Sequence, residues 1–143
     1  MVVHVLHGVN LGMLGVREPE VYGSMTLPEL EAQIRVWGSE RDMRVSCAQT
    51  DSEAEFIYAI HAAHGTADAM IVNPGAWTHY SYAIRDALAI LTVPIVEVHL
   101  SEPRDREPFR HLSVIDDVCR HRVAGKGADG YREALDYLAG VPV

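Results

Sequence analysis

Short runs rich in Val and Ile, without regular alternation of apolar and polar residues, recur along this chain, each followed by a stretch of helical period. Runs of that kind belong to strands covered on both faces. A strand–helix–strand order with right-handed crossovers closes into one open parallel sheet with helices on each side. Few other architectures are compatible with that pattern. The runs are Val2–Leu6, Met43–Ala48, Asp68–Val72, Pro94–Val98 and a weaker one at Cys119–Ala124.

Between them lie the helices. Thr26 precedes Glu29 by three residues, a capping-box signature, and Leu27, Leu30, Ile34 and Trp37 follow at helical spacing. Asp51, Ser52 and Glu53 open a second helix whose inner face is Phe56, Ile57 and Ile60. A third is expected over His79–Leu91, with Ile84, Ala87, Leu88 and Leu91 turned inward. The last runs from about Asp129 to Leu138, burying Ala134, Leu135 and Leu138. Five strands in 143 residues predict a single domain over 1–143 with a flavodoxin-like, three-layer α/β fold and a five-stranded parallel sheet. Ligands of such folds bind at the carboxyl ends of the strands.

Composition narrows the function classes. A hydrophobic content of 48% with 22% charged residues is that of an ordinary globular chain. The net charge of −8 argues against nucleic-acid binding, which requires a basic stripe. No run approaches the roughly 20 apolar residues of a membrane span, and the N-terminus lacks the features of a signal peptide, so a cytoplasmic location without membrane association is expected. Cys47 and Cys119 are too few for a disulfide framework and lack zinc-ligand spacing; they are expected to be small core residues.

Three clusters follow strands one, three and four. Seventeen residues, His7 to Gly23, separate the first strand from its helix, far more than the usual ~2–6, and such loops are often lids. Its glycines lack dinucleotide-loop spacing, and no P-loop lysine is present. Arg17 and Tyr22 share the segment from about 16 to 24. A tyrosine ordinarily titrates near ~10, and an adjacent cation favours its ionised form. The second cluster is Asn73-Pro74-Gly75-Ala76-Trp77-Thr78-His79, a tight turn with polar side chains at both ends. The third is Glu97-Val98-His99-Leu100-Ser101, where alternation puts Glu97, His99 and Ser101 on one face. A carboxylate beside an imidazole fixes its tautomer and raises its basicity, which suits acid–base work. Arg104, Arg106 and Arg110 follow as candidate anion anchors. A phospho-accepting receiver module shares this topology, but it needs acidic residues where this chain has His7 and Asn73.

Taken together and in order, these motifs resemble the type II 3-dehydroquinate dehydratases. The likeness is carried by Asn10-Leu11, Leu14-Gly15, Arg17-Glu18-Pro19, Tyr22-Gly23, Asn73-Pro74-Gly75-Ala76, Thr78-His79, Arg85-Asp86-Ala87-Leu88, Pro94 through Ser101, Arg106 through His111, and Gly127 through Tyr131. The resemblance implies reversible trans-elimination of water from 3-dehydroquinate to 3-dehydroshikimate, with no cofactor and no metal. Both aromatic biosynthesis and quinate breakdown use that reaction. It implies Tyr22 as base beside Arg17, Asn10 at the enolate, and His99 as acid oriented by Glu97. Asn73 is placed by the resemblance beside the leaving hydroxyl. The backbone of Leu100 and Ser101, helped by His79 and Arg110, receives the substrate carboxylate, and Arg106 is a second lid arginine. Asp86 is implied to reach a neighbouring subunit's site within a homododecamer built as a tetramer of trimers. Trp77 in place of Tyr and Lys126 in place of an apolar residue are peripheral departures from the family's pattern, and three others bear on the site: His7 stands in place of Asn, Val9 in place of Pro, and Glu102 in place of Asn. They motivate an alternative in which the chain is a weak or inactive relative that binds a cyclic carboxylate as an assembly subunit.

Overall fold

A computed structural model describes residues 1–141 of the chain. Its strands are β1 (Val2–His7), β2 (Arg44–Gln49), β3 (Ala69–Asn73), β4 (Ile95–His99) and β5 (His121–Ala124). They form one sheet in the order β2-β1-β3-β4-β5, and every neighbouring pair is parallel. The flavodoxin-like order expected from the strand–helix alternation is therefore present.

The helices are α1 (Pro19–Tyr22), α2 (Leu27–Ser39), α3 (Glu53–Ala63), α4 (Tyr82–Ile90) and α5 (Asp129–Ala139). One face of the sheet packs Val3, Val5, Ile71, Val96 and Val98 against Leu30 and Ile34 of α2 and Leu135 and Leu138 of α5. The opposite face packs Leu6, Met70 and Val72 against Phe56 and Ile60 of α3 and Ile84 and Leu88 of α4. All five residues of β3 and of β4 are buried, as strands covered on both sides must be. At one sheet edge β2 alternates along its whole length: Arg44, Ser46 and Ala48 are exposed while Val45 and Cys47 lean on the α2 side.

Thr26 caps α2 by accepting from the Glu29 amide, and Ser52 does the same for α3 from Glu55. The helix expected over His79–Leu91 is divided. A 3-10 turn covers Gly75–His79, and α4 begins only after Ser81, whose hydroxyl accepts from the Ile84 amide. Cys47 and Cys119 lie half-buried against the two cores. Burial pushes both thiols up, Cys47 to about 11, as fits small packing residues.

The strands β1, β3 and β4 each run one residue beyond the apolar run that announces them. Their last residues, His7, Asn73 and His99, are polar and buried, and β1 aligns His7 with Asn73. Directly after His7, the Gly8 amide donates to the Asn73 carbonyl at 2.8 Å. A Cβ at Gly8 would meet the Pro74 carbonyl oxygen at 2.3 Å, so the two loop origins touch backbone to backbone. Gly8→Ala should lose about 2–3 kcal/mol in urea unfolding, the upper range for forcing extra volume into a packed position. A loss under about 0.5 kcal/mol would show that the junction yields.

Candidate active site

Loops from the carboxyl ends of β1, β3 and β4 enclose a cleft. Its lining includes Asn10, Arg17, Tyr22, Asn73, His79, His99, Leu100, Ser101, Arg106 and Arg110, which the sequence singled out across three separate segments. Two named residues lie elsewhere. Glu97 is fully buried behind His99, and Asp86 is exposed on α4, outside the cleft.

The rear wall is built on Glu97. Its Oε2 lies 2.5 Å from His99 Nε2, accepts from Thr78 Oγ1 at 2.6 Å, and is 3.0 Å from Ser113 Oγ, which also reaches Oε1 at 3.0 Å. Burial alone would push this carboxyl up. The hydrogen bond and charge of His99 and the hydroxyls of Thr78 and Ser113 outweigh it and hold Glu97 below the ordinary carboxylate range. With the carboxylate as acceptor, Nε2 of His99 carries a proton, and Nδ1 is left as the nitrogen that can work on a ligand. Thr78 and Ser113 lie 19 and 16 residues from Glu97 in sequence, so no local spacing pairs them with it.

Backbone contacts hold that arrangement in place. The Val114 amide donates to the Thr78 carbonyl, and His79 Nδ1 lies 2.8 Å from the Leu112 carbonyl. A carbonyl can only accept, so Nδ1 is the protonated nitrogen of His79. Burial lowers the pKa of His79, opposed by that backbone bond and assisted by His99 and Arg110 nearby, so the ring is neutral at pH 7 and its Nε2 is an acceptor.

The front wall is the first loop. Leu11 and Leu14 are buried in the core beneath α2 and anchor it. Asn10 sits at φ 68°, a left-handed conformation that Asn tolerates better than most residues. Its amide donates to Asp51 Oδ1 at 2.8 Å, and Gln49 bridges Asp51 and the Gly8 carbonyl. That bracket, from the end of β2, fixes the turn that contains Val9. Beyond it, α1 carries Tyr22 over the cleft. The Arg17 guanidinium lies over the Tyr22 ring at 4.8 Å, but the phenolic oxygen is met by Arg106, whose Nη1 donates to it at 2.7 Å. Arg106 also reaches Glu18 and Ser101 Oγ, so it ties the first loop to the segment after β4. The sequence pairs Tyr22 with Arg17; the structure shows two arginines, one on the ring face and one on the hydroxyl.

This arrangement has counterparts among known proteins. Residues 1–139 match the family model described as "Dehydroquinase class II". A 3-dehydroquinate dehydratase of Syntrophotalea carbinolica is 52% identical over 93% of this chain and 90% of its own length. One of Deinococcus radiodurans is 49% identical over 96% of both. The crystal structure of a type II dehydroquinase from Propionibacterium acnes superposes with a TM-score of 0.95 at 43% identity, covering 98% of this chain and 97% of that one. The chain belongs to the class II dehydroquinase family.

For a class II dehydroquinase, the three departures noted in the sequence fall in informative places. None of His7, Val9 and Glu102 lines the cleft. His7 is wholly buried under the β1 end. Glu102 turns away: its Oε1 accepts from the Arg104 amide at 3.1 Å and faces the Arg122 guanidinium at 3.9 Å. Its charge is thereby turned toward Arg122 and the Arg104 amide and away from the cleft.

Because folding lowers the Glu97 pKa, its contribution to stability is fully present above the unfolded value of 4.5 and is lost as pH falls through the folded value. Glu97→Gln should therefore be less stable at pH 7 by about 2 kcal/mol, the scale of hydrogen bonds to a charged group, and should show a shallower fall in stability below pH 5. Urea unfolding from pH 3.5 to 7 checks this. Parallel curves for the two proteins would show that Glu97 does not carry that linkage.

Proposed function

We propose that this chain is a 3-dehydroquinate dehydratase, a hydro-lyase that removes water from 3-dehydroquinate to give 3-dehydroshikimate through an enolate. Its membership of the class II dehydroquinase family and the names of its relatives support the reaction. The observation that carries the mechanism is the cleft itself, with a tyrosine hydroxyl held by an arginine on one wall and a carboxylate-braced histidine on the other.

Tyr22, ionised, takes the proton from the carbon α to the ring ketone. Arg106 at its oxygen and Arg17 over its ring supply the positive charge that an ionised phenol requires. The electrons move to the ketone oxygen, and Asn10 stabilises the enolate, by resemblance through an ordered water. Preorganised donors of this kind are often worth ~3–4 kcal/mol each. Collapse of the enolate breaks the C–O bond at the β-carbon. His99, its Nε2–H held by Glu97, gives the proton from Nδ1 to the departing hydroxyl, which leaves as water. Asn73 lies beside that hydroxyl. The peptides of Leu100 and Ser101, whose carbonyls are fixed by Gly127 and Gly125, and Arg110 receive the carboxylate. A neutral His79 with Nε2 as acceptor suits a substrate hydroxyl better than the carboxylate.

The exposed Asp86 acts on a neighbouring subunit's cleft, which makes activity depend on at least a trimer within a dodecamer. No helix is long and apolar enough to cross a membrane among the described residues, and a cytoplasmic location fits a diffusible substrate. The segment from 16 to 24 closes as a lid when Arg17 swings toward the bound substrate.

Enone absorbance on incubation with 3-dehydroquinate tests the reaction, and no product at high enzyme concentration would refute it. Tyr22→Phe should lower kcat about 10²–10⁴-fold in a folded, assembled protein. Arg106→Ala should lower kcat by more than Arg17→Ala, because Arg106 bonds the phenolic oxygen while Arg17 lies over the ring. An equal or reversed effect would return Arg17 to the leading place.

A further inference from the structure

Beneath the cleft lies a second polar layer that the mechanism above does not use. Tyr131 of α5 has no exposed surface, yet its hydroxyl accepts from Asn73 Nδ2 at 3.0 Å. Burial pushes that hydroxyl well above the ordinary tyrosine range, with Asn73 opposing, so it stays a neutral phenol at any pH the enzyme meets. On its other side the ring of His7 packs edge-on at 5.5 Å between centroids, and His7 Nδ1 faces Glu31 Oε2 of α2 at 3.4 Å.

The Asn73 amide is constrained at both ends. Its Oδ1 accepts from the Gly75 amide at 3.2 Å while its Nδ2 donates to Tyr131. A flipped amide would set its own N–H groups against the Gly75 N–H, donor to donor, so the orientation is unique. The second Nδ2 hydrogen and the outer lone pair of Oδ1 are then the groups Asn73 can offer to the cleft it lines. An amide fastened at one end only could rotate about its side chain. The phenol is the second fastening, and it comes from a helix 58 residues away in sequence.

We propose that Tyr131 is a positioning residue for the reaction, fixing the Asn73 amide from below, with His7 packed against the far side of its ring to hold it there. This rests on reading Asn73 as a substrate contact of the dehydratase. His7, which stands in place of the family's Asn, supports the floor of the site through that packing.

The test combines kinetics with a readout independent of activity. In wild-type protein the Asn73 side-chain amide should exchange slowly in a ¹⁵N–¹H NMR spectrum, because one hydrogen is held against a buried phenol; rapid exchange would overturn the proposal without any variant. Tyr131→Phe keeps the buried ring and removes only the oxygen. It should shift that resonance and speed its exchange, and lower kcat about tenfold, the scale of one hydrogen bond, with KM changed less than about twofold. In an Asn73→Ala background the same substitution should change kcat less than about twofold, since there is no amide left to place. An equal loss in both backgrounds, or a Tyr131→Phe protein with wild-type kcat and an unmoved resonance, would overturn it. Should wild-type protein form no enone at all, the dehydratase reading fails, and the exchange of the amide still decides whether Tyr131 holds Asn73.

Discussion

The carboxylate of Glu97 has no contact with solvent, and a buried charge of that kind costs several kcal/mol unless its oxygens are bonded. Here the bonds come from three places: His99 two residues along β4, Thr78 in the turn after β3, and Ser113 in the segment before β5. To satisfy one carboxylate, the chain must bring those three segments together, and in doing so it builds the rear wall of the cleft. The same constraint sets the proton pattern of His99, since an ionised acceptor on Nε2 leaves Nδ1 as the nitrogen facing chemistry. Removing either hydroxyl would leave the carboxylate short of a partner, which is why Thr78 and Ser113 belong to the site although neither lines it.

The front wall works differently. It depends on cations and on loop geometry, with no buried charge of its own. Two hydrophobic anchors, Leu11 and Leu14, fasten the loop to the core, and the bracket of Gln49 and Asp51 fixes its first turn. Tyr22 then hangs from a short helix whose contact with the rest of the cleft runs through Arg106. One wall is therefore held by burial, and the other by the contacts of Arg106 with Tyr22, Glu18 and Ser101. A chain with a net charge of −8 concentrates three arginines on one cleft, where low exposure raises the effect of each on an anionic ligand.

Most of the fold could be read from the sequence because it rests on local periodicity: the Val- and Ile-rich runs, the caps at Thr26 and Ser52, and the apolar stripes of α2, α3 and α5. What escaped was non-local or polar. The strand ends His7, Asn73 and His99 look like loop residues because they are polar, although the ladder continues through them. Ser81 as a cap escaped because the helix was expected to begin at His79, two residues before it. Motif spacing singled out Tyr22, His99 and Asn73, which line the cleft, and Glu97, which is buried behind it. The pairing of Tyr22 with Arg106 spans 84 residues, and no spacing rule reaches that far. The direction of Glu102 depends on Arg122 and on the backbone of Arg104, which sequence order does not reveal.

Everything in this account turns on Glu97 being ionised inside the protein. A ¹³C-labelled Glu97 carboxyl, assigned by comparison with Glu97→Gln and followed by NMR from pH 4 to pH 8, measures that state directly. The expected result is a carboxylate shift from pH 5 to pH 8, with any titration step lying below the ordinary value of 4.5. A carboxyl that is protonated at pH 6 would contradict it, because His99 would then lose the ionised partner that assigns its protons.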